Sequence, residues 1–407
     1  MEKSRSLKRS HFVRYFDLYR RIRYTLIVLI IFILGSNIPI LQPHQLNDKV
    51  NVFNNLGAAA MGGDYTNVNL FSLGLGPWLT ALLIINLIGF RNIDKTMKQT
   101  KQEKQIKEKS ATLLLCVVQG YYVLNLHVKH GPDYIEVMLL SLLMLIAGSM
   151  MLIWLADQNA MYGIAGPMPI VMMSIIRSII AGKGDIDDLS PLFWLIVAVL
   201  LMSSVLLLVF IERSEYRIPY VDILNISKVQ KNFLAWKLNP AGSLAIMLCL
   251  SFYTMIKYVI ELVLMFFTDI KMKDFQYLEL SHPIGITLFV AILFLLGFFL
   301  SKLMLNPKKK AEEFLKSGNY FAGISPGKST ESFLNHQANL ISLFSATIMA
   351  VIIGIPFYIT LLIPQVFNEV YLSVQVLILV YIAINVVEAM RSYLYFQSYR
   401  MLLNKYW

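Results

Sequence analysis

Charge is scarce in this chain. Asp, Glu, Lys and Arg make up only 15% of its 407 residues, against roughly 25% in soluble globular proteins. With 57% hydrophobic residues, it cannot hide its apolar side chains in one interior and remain a soluble monomer. Its six histidines show no metal-ligand spacing, which argues against a histidine-built metal centre. The only cysteines, Cys116 and Cys249, lie inside apolar runs and read as small core hydrophobes rather than a disulfide pair. No phosphate-binding loop, HExxH, GxSxG or dinucleotide fingerprint occurs. These absences exclude the familiar enzyme signatures and call for no cofactor, so energy for any work must come from a partner or a gradient.

What the chain does have is repetition. Apolar stretches recur at 24–40, 75–90, 111–128, 135–155, 166–181, 189–211, 241–268, 281–303, 336–362 and 370–396, most of them long enough to cross a bilayer at about 20 residues per crossing. The predicted fold class is an all-α polytopic membrane protein with ten transmembrane helices. Little chain remains for a domain outside the membrane. The net charge of +11 does not indicate nucleic acid, because the basic residues cluster beside the apolar stretches, where they would meet anionic lipids. Residues 1–23 hold eight Lys/Arg, and the run that follows leads to no small-residue cleavage site, so span 1 is expected to be retained.

An even number of crossings puts both termini on one side. With those termini cytoplasmic, the cytoplasmic segments hold 29 of the 36 basic residues, the bias that orients membrane proteins. The external turn 182–188 instead carries Asp185, Asp187 and Asp188 against one Lys. The expected organisation is a cytoplasmic segment 1–23, helices 1–5 over 24–181, helices 6–10 over 182–396 with cytoplasmic loops 212–238 and 303–335, and a cytoplasmic tail 397–407.

Spans 2 and 5 have only about 16 residues, or roughly 24 Å of helix, and need depth inside a bundle or help from flanking structure. The segment from Val52 to Gly63, patchily apolar and ending in Gly62-Gly63, fits a helix that enters the protein partway and breaks at the glycines, or equally an external loop with a short interfacial helix. Lys257 and Glu261 are four apart and can pair on one helical face; they are expected at the external end of an overlong span. The connections 212–239 and 306–332 present basic side chains alongside Phe233, Leu234 and Trp236, a surface for a protein partner or for anionic headgroups.

Several ordered motifs carry a family resemblance. Phe71-Ser72-Leu73-Gly74-Leu75-Gly76-Pro77-Trp78-Leu79-Thr80, Trp154-Leu155-Ala156-Asp157-Gln158, Phe210-Ile211-Glu212-Arg213 with Arg217-Ile218-Pro219, and Asn306-Pro307 followed by Lys316-Ser317-Gly318 and Gly323-Ile324-Ser325-Pro326-Gly327 resemble, in order and spacing, the signature segments of the SecY/Sec61-alpha family of protein-conducting channels. The resemblance implies two pseudo-symmetric five-helix halves around a central pore. It also implies a plug at about 52–68 containing Gly62 and Gly63. Leu75, Leu79, Met168, Met172, Met247 and Ile378 would form a pore ring, and Thr80, Asn86 and Asn239 would lie at a lateral gate between spans 2 and 7. Arg213, Arg217, Lys228, Lys231, Lys316 and Ser325 fall on the motor-docking loops.

Departures from the common pattern point to the accessory branch of the family in Gram-positive bacteria. Ser325 stands where housekeeping channels usually carry an arginine, whose fork of donors a serine cannot replace; the connection 220–239 is short, and three ring positions are Met. That branch implies export of unfolded preprotein, a serine-rich glycosylated adhesin, across the plasma membrane, with an accessory SecA-type ATPase, a signal sequence on the cargo and small accessory membrane subunits as partners. A membrane insertase or scaffold, or a secondary transporter of a small solute, are the alternative readings. Scarce buried charge counts against the transporter.

Overall fold

The computed structural model describes residues 2–41, 57–65, 68–91, 99–128, 134–181, 191–222, 232–267, 278–280, 282–362 and 367–403. Each of the ten apolar stretches falls on a helix: α1 Glu2–Ser36, α2 Gly76–Arg91, α3 Lys101–His127, α4 Tyr134–Tyr162, α5 Met168–Ala181, α6 Pro191–Arg213, α7 Gly242–Phe267, α8 Pro283–Leu305, α10 Lys328–Leu362 and α11 Phe367–Leu403, with a short α9, Pro307–Ser317, between α8 and α10. Among the described residues, five helical segments are long and apolar enough to cross a membrane: Ile135–Tyr162, Leu244–Leu264, Pro283–Ser317, Lys328–Leu362 and Glu369–Leu394. Gly76–Gly89 and Met168–Ala181 are apolar but shorter, as expected of spans 2 and 5.

The fold class needs one amendment. Among the described residues of 212–239, β1 (Glu215–Pro219) pairs antiparallel with β2 (Phe233–Lys237), together the hairpin, in the register Glu215↔Lys237, Arg217↔Ala235, Pro219↔Phe233. Ile218 and Trp236 are buried while Tyr216, Arg217 and Phe233 stay exposed, so each strand buries one side chain.

Two compact units result: one comprises Met1–Asp188, Leu250–Phe275 and Ile378–Trp407, the other Leu189–Cys249 and Gln276–Leu377. In the first, α3 packs against α2 and α4, and α1 against α4 and α5. α1 buries Val28 and Phe32 but exposes Leu26, Ile27, Ile30 and Leu34; α4 buries Leu145 and Leu152 but exposes Leu139, Leu140 and Leu143. Helices apolar on both faces suit a lipid solvent. A buried polar knot ties α1 to the α4–α5 turn: Thr25 Oγ1 donates to Asn159 Oδ1 at 2.9 Å, and Asn159 Nδ2 donates to the Gly166 carbonyl at 2.6 Å.

In the second unit α8 lies along α10, close enough at Gly297 that a Cβ there would sit 3.4 Å from the Ala346 Cα. Small residues at such crossings allow close backbone approach where lipid supplies no hydrophobic drive. Ser301 and Ser345 hydroxyls meet at 3.3 Å across the same seam. α9 begins at Asn306, whose side chain accepts from the Lys309 amide at 3.4 Å, and ends at Gly318, φ +74°. Cys116 and Cys249 are free and buried.

Candidate functional site

Residues 57–60 make one helical turn inside the first unit, with Ala58, Ala59, Ala60 and Met61 all buried. The turn breaks at the glycine pair. Gly62 takes φ +79°, the left-handed region that glycine enters without penalty, and the Gly63 amide closes back on the Ala58 carbonyl at 2.7 Å. Gly62 and Gly63 at the broken end are buried, and Asp64 beyond them is half-buried; residues 52–56, 66 and 67 of this segment lie outside the described residues.

The chain entering α2 seats the turn. Leu75 N donates to the Met61 carbonyl at 2.7 Å and Asp64 N to the Ser72 carbonyl at 3.1 Å. Gly74, φ +60°, passes so close that a Cβ would lie 2.6 Å from the Met61 carbonyl oxygen. From α5, Ser174 Oγ donates to the Gly63 carbonyl at 2.8 Å, and Arg177 Nε stands 4.0 Å from Asp64 while its other nitrogens donate to the Ser36 carbonyl and Asn37 Oδ1. Just beyond, Tyr65 is buried and packs in one core with Tyr122 and Tyr258. A His127 ring nitrogen lies 2.8 Å from the Tyr65 carbonyl.

The ring candidates separate by environment. Leu75, Leu79, Met247 and Ile378 are buried, whereas Met168 and Met172 are half-buried. A Cβ on Gly62 would touch Ile170 at 3.5 Å and Leu75 at 4.0 Å, so the glycine turn rests on α2 and α5, the helices of Leu79, Met168 and Met172. Met247 belongs to the second unit.

At the gate candidates, Thr80 is wholly buried and its hydroxyl donates to the Gly76 and Pro77 carbonyls of its own helix at 3.1 and 2.9 Å. Asn86 is half-buried on α2. Asn239 is buried ahead of α7, where its Oδ1 accepts from Ser345 at 2.6 Å and from the Gly242 amide at 3.3 Å. The bond that joins α7 to α2 comes from elsewhere: Ser251 Oγ donates to the Gly76 carbonyl at 2.7 Å. Nearby, Gln119 of α3 is buried with Nε2 unpartnered among the described residues. Lys257 and Glu261 pair as their spacing predicts, 3.9 Å apart, with side chains 3% and 5% exposed inside the first unit.

The docking candidates sit on a small platform in the second unit. The hairpin, α9 and the start of α10 share a core of Ile218, Trp236, Phe314, Phe321 and Leu334, and Val221 and Tyr320 exchange backbone bonds of 2.9 and 3.1 Å. On its outside, Arg213, Lys316 and Ser325 are exposed, and Arg217 stacks over Phe233 at 4.6 Å and pairs with Glu215 at 3.3 Å. Lys310, hydrogen-bonded to Glu313, holds that carboxyl below its usual range. Lys228 and Lys231 lie outside the described residues.

Sequence reasoning missed Ser174, Ile170, Ser251 and Tyr65. Ile170 and Ser174 are four apart and form the stripe beside Met168 and Met172 on α5; the Gly63 and Gly76 carbonyls that Ser174 and Ser251 bind are defined only once the fold exists.

The chain is similar to known proteins over most of its length. A family model described as SecY matches residues 69–387. The accessory Sec system protein translocase subunit SecY2 of Staphylococcus aureus (strain Newman) is 44% identical over 391 residues, covering 96% of this chain and 97% of its own. A solved protein-conducting channel superposes with a TM-score of 0.69 at 15% identity, over 92% of each chain. A SecY structure whose plug domain stabilises the closed state of the translocation channel and maintains a membrane seal superposes at 0.62, also with 15% identity and 92% coverage of each.

Proposed function

The chain belongs to the SecY family of multi-pass membrane proteins, and from that premise we propose that it is the central channel subunit of an accessory protein-export translocon. Ten helices cross the plasma membrane as two five-helix halves with both termini cytoplasmic. An accessory SecA-type ATPase docks on the hairpin and α9 platform and drives an unfolded preprotein, a serine-rich glycosylated adhesin, through the ring. Signal sequences enter between α2 and α7, and small membrane subunits and anionic lipids surround the helices. No covalent chemistry takes place in this subunit.

The observation that carries this reading is the buried glycine turn, held by backbone bonds to the start of α2 and by Ser174 of α5. Such a turn behaves as a plug: the Gly62, Gly63 and Asp64 amides and the Met61 and Gly63 carbonyls are hydrogen-bonded within protein, as burial at membrane depth requires, and such bonds can break and re-form. Leu75, Leu79 and the methionines suit a gasket. An apolar constriction dewets and blocks ions when closed, and the unbranched methionine adapts to an irregular moving chain.

The test is reconstitution. Liposomes carrying the protein, the accessory ATPase and ATP should protect a hydrophilic signal-bearing preprotein from added protease. Protection equal to that of protein-free liposomes would refute the channel; solute uptake without any ATPase would replace it with a transporter, and helix insertion without protection of hydrophilic cargo with an insertase.

A further inference from the structure

Building on the motor-docking reading above, we propose that the outer edge of β2 is a strand acceptor, to which an extended acidic segment of the cytoplasmic ATPase adds as a third strand of the hairpin. Among the described residues β1 and β2 form a sheet of two strands, so each has one inner and one outer edge. The register says which backbone groups face out. Leu238 N donates to the Ser214 carbonyl and Tyr220 N to the Asn232 carbonyl, both at 3.0 Å. Antiparallel partners exchange bonds at every second pair. Tyr216↔Trp236 and Ile218↔Leu234 therefore bond inward, while Glu215↔Lys237, Arg217↔Ala235 and Pro219↔Phe233 turn their backbone groups outward.

The two outer edges differ. On β1, Pro219 has no N–H to offer, and Val221, the next outward position, is already paired with Tyr320 through bonds of 2.9 and 3.1 Å. On β2, the outward N–H and C=O groups of Phe233 and Ala235 meet no partner among the described residues. Both residues are exposed.

Proteins ordinarily guard such an edge with proline, charge or a covering segment, as β1 is guarded here. Leaving β2 bare suits strand addition, in which main-chain bonds supply affinity and flanking side chains choose the partner. The flanking charge is basic: the connection 212–238 holds Arg213, Arg217, Lys228, Lys231 and Lys237 against Glu212, Glu215 and Asp222. A second copy of this edge would bring like charges together, whereas an acidic strand from the motor would be drawn to it.

Two variants at the centre of β2 test this. Ala235→Pro removes one outward N–H and no inward bond, repeating on β2 what Pro219 does on β1, while Ala235→Val changes the side chain and keeps the donor. The accessory ATPase is titrated against the full-length protein in lipid nanodiscs. Ala235→Pro should weaken binding about three- to tenfold, the loss of one hydrogen bond, and Ala235→Val should bind as wild type does. Hydrogen exchange of the wild-type protein probes the same edge without substitution: saturating motor should slow the Phe233 and Ala235 amides, whereas the Leu234 and Trp236 amides are protected before it is added. Equal binding by Ala235→Pro and wild type, an equal loss in Ala235→Val, or Phe233 and Ala235 amides that exchange as fast with motor as without it would overturn strand addition. Protection that appears on concentrating the protein alone would also overturn it, assigning the edge to a second copy. No cargo is present, so each of these results leaves the protease-protection test untouched; a wild-type protein that binds no motor would remove the docking reading as well.

Discussion

A covalent staple between the plug turn and α7 should close the channel reversibly, and the structure supplies the pair. A Cβ placed on Gly57 would stand 4.0 Å from the Thr254 Cβ, within the roughly 3.5–4.5 Å that disulfides span. The same Cβ would lie 2.6 Å from the Thr254 methyl, so Gly57→Cys alone is crowded, while Thr254→Cys removes the obstructing methyl. Losing the 2.9 Å bond from Thr254 Oγ1 to the Ser251 carbonyl costs about 1 kcal/mol, small against the constraint gained. Once oxidised, the bridge lets the two Cβ atoms separate by only about half an ångström, whereas an extended polypeptide needs the turn to clear the pore entirely. With Cys116 and Cys249 replaced by serine to leave one possible pair, ATP-driven protection of preprotein should fall to background on oxidation and return on adding a reducing phosphine. Oxidised protein, shown to be bridged by its mobility on a gel, that still exports at the reduced rate would refute the placement of 57–65 as a plug held against α7.

Three other outcomes are expected. Gly74→Ala forces a side chain onto the Met61 carbonyl in a left-handed backbone, which should unseat the plug at a cost of about 1–3 kcal/mol and raise ion leak of empty proteoliposomes; unchanged leak would contradict the seat. Ser325→Arg adds a forked donor at an exposed turn, so side-by-side titration should show tighter binding of a housekeeping motor relative to the accessory one, and an unchanged ratio would remove Ser325 from partner choice. Cysteines at Asp187 and Lys309 should react with impermeant reagents from opposite sides of the membrane; labelling from the same side would invert the topology.

Hydropathy located the helices but not their ends. α3 starts at Lys101, ten residues before its apolar stretch, because Thr100 and Glu103 form a reciprocal capping box; α1 runs back to Glu2 through a basic segment whose Lys and Arg are good helix formers. The hairpin was hidden because Tyr-Arg-Ile-Pro alternates over too few residues, and Phe-Leu-Ala-Trp-Lys does not alternate at all, to stand out beside 20-residue runs. The glycine break at residues 62–63 was legible, since only glycine readily takes the backbone that Gly62 adopts. Ser174 and Ser251 were not, because a small hydroxyl within an apolar run looks the same whether it bonds its own helix, as Thr80 does, or another, as Ser251 does. For Lys257 and Glu261 the spacing announced the pair, but not that α7 turns them inward, since sequence periodicity does not say what the neighbouring elements cover.

The most direct test of a polypeptide path through this protein is photo-crosslinking of a preprotein stalled midway by a folded C-terminal domain. A photoreactive side chain at Leu79 or Met247 should capture the cargo, and one at Leu34, 63% exposed on α1, should capture lipid. Capture of cargo only at Leu34, with none at Leu79 or Met247, would contradict a central pore.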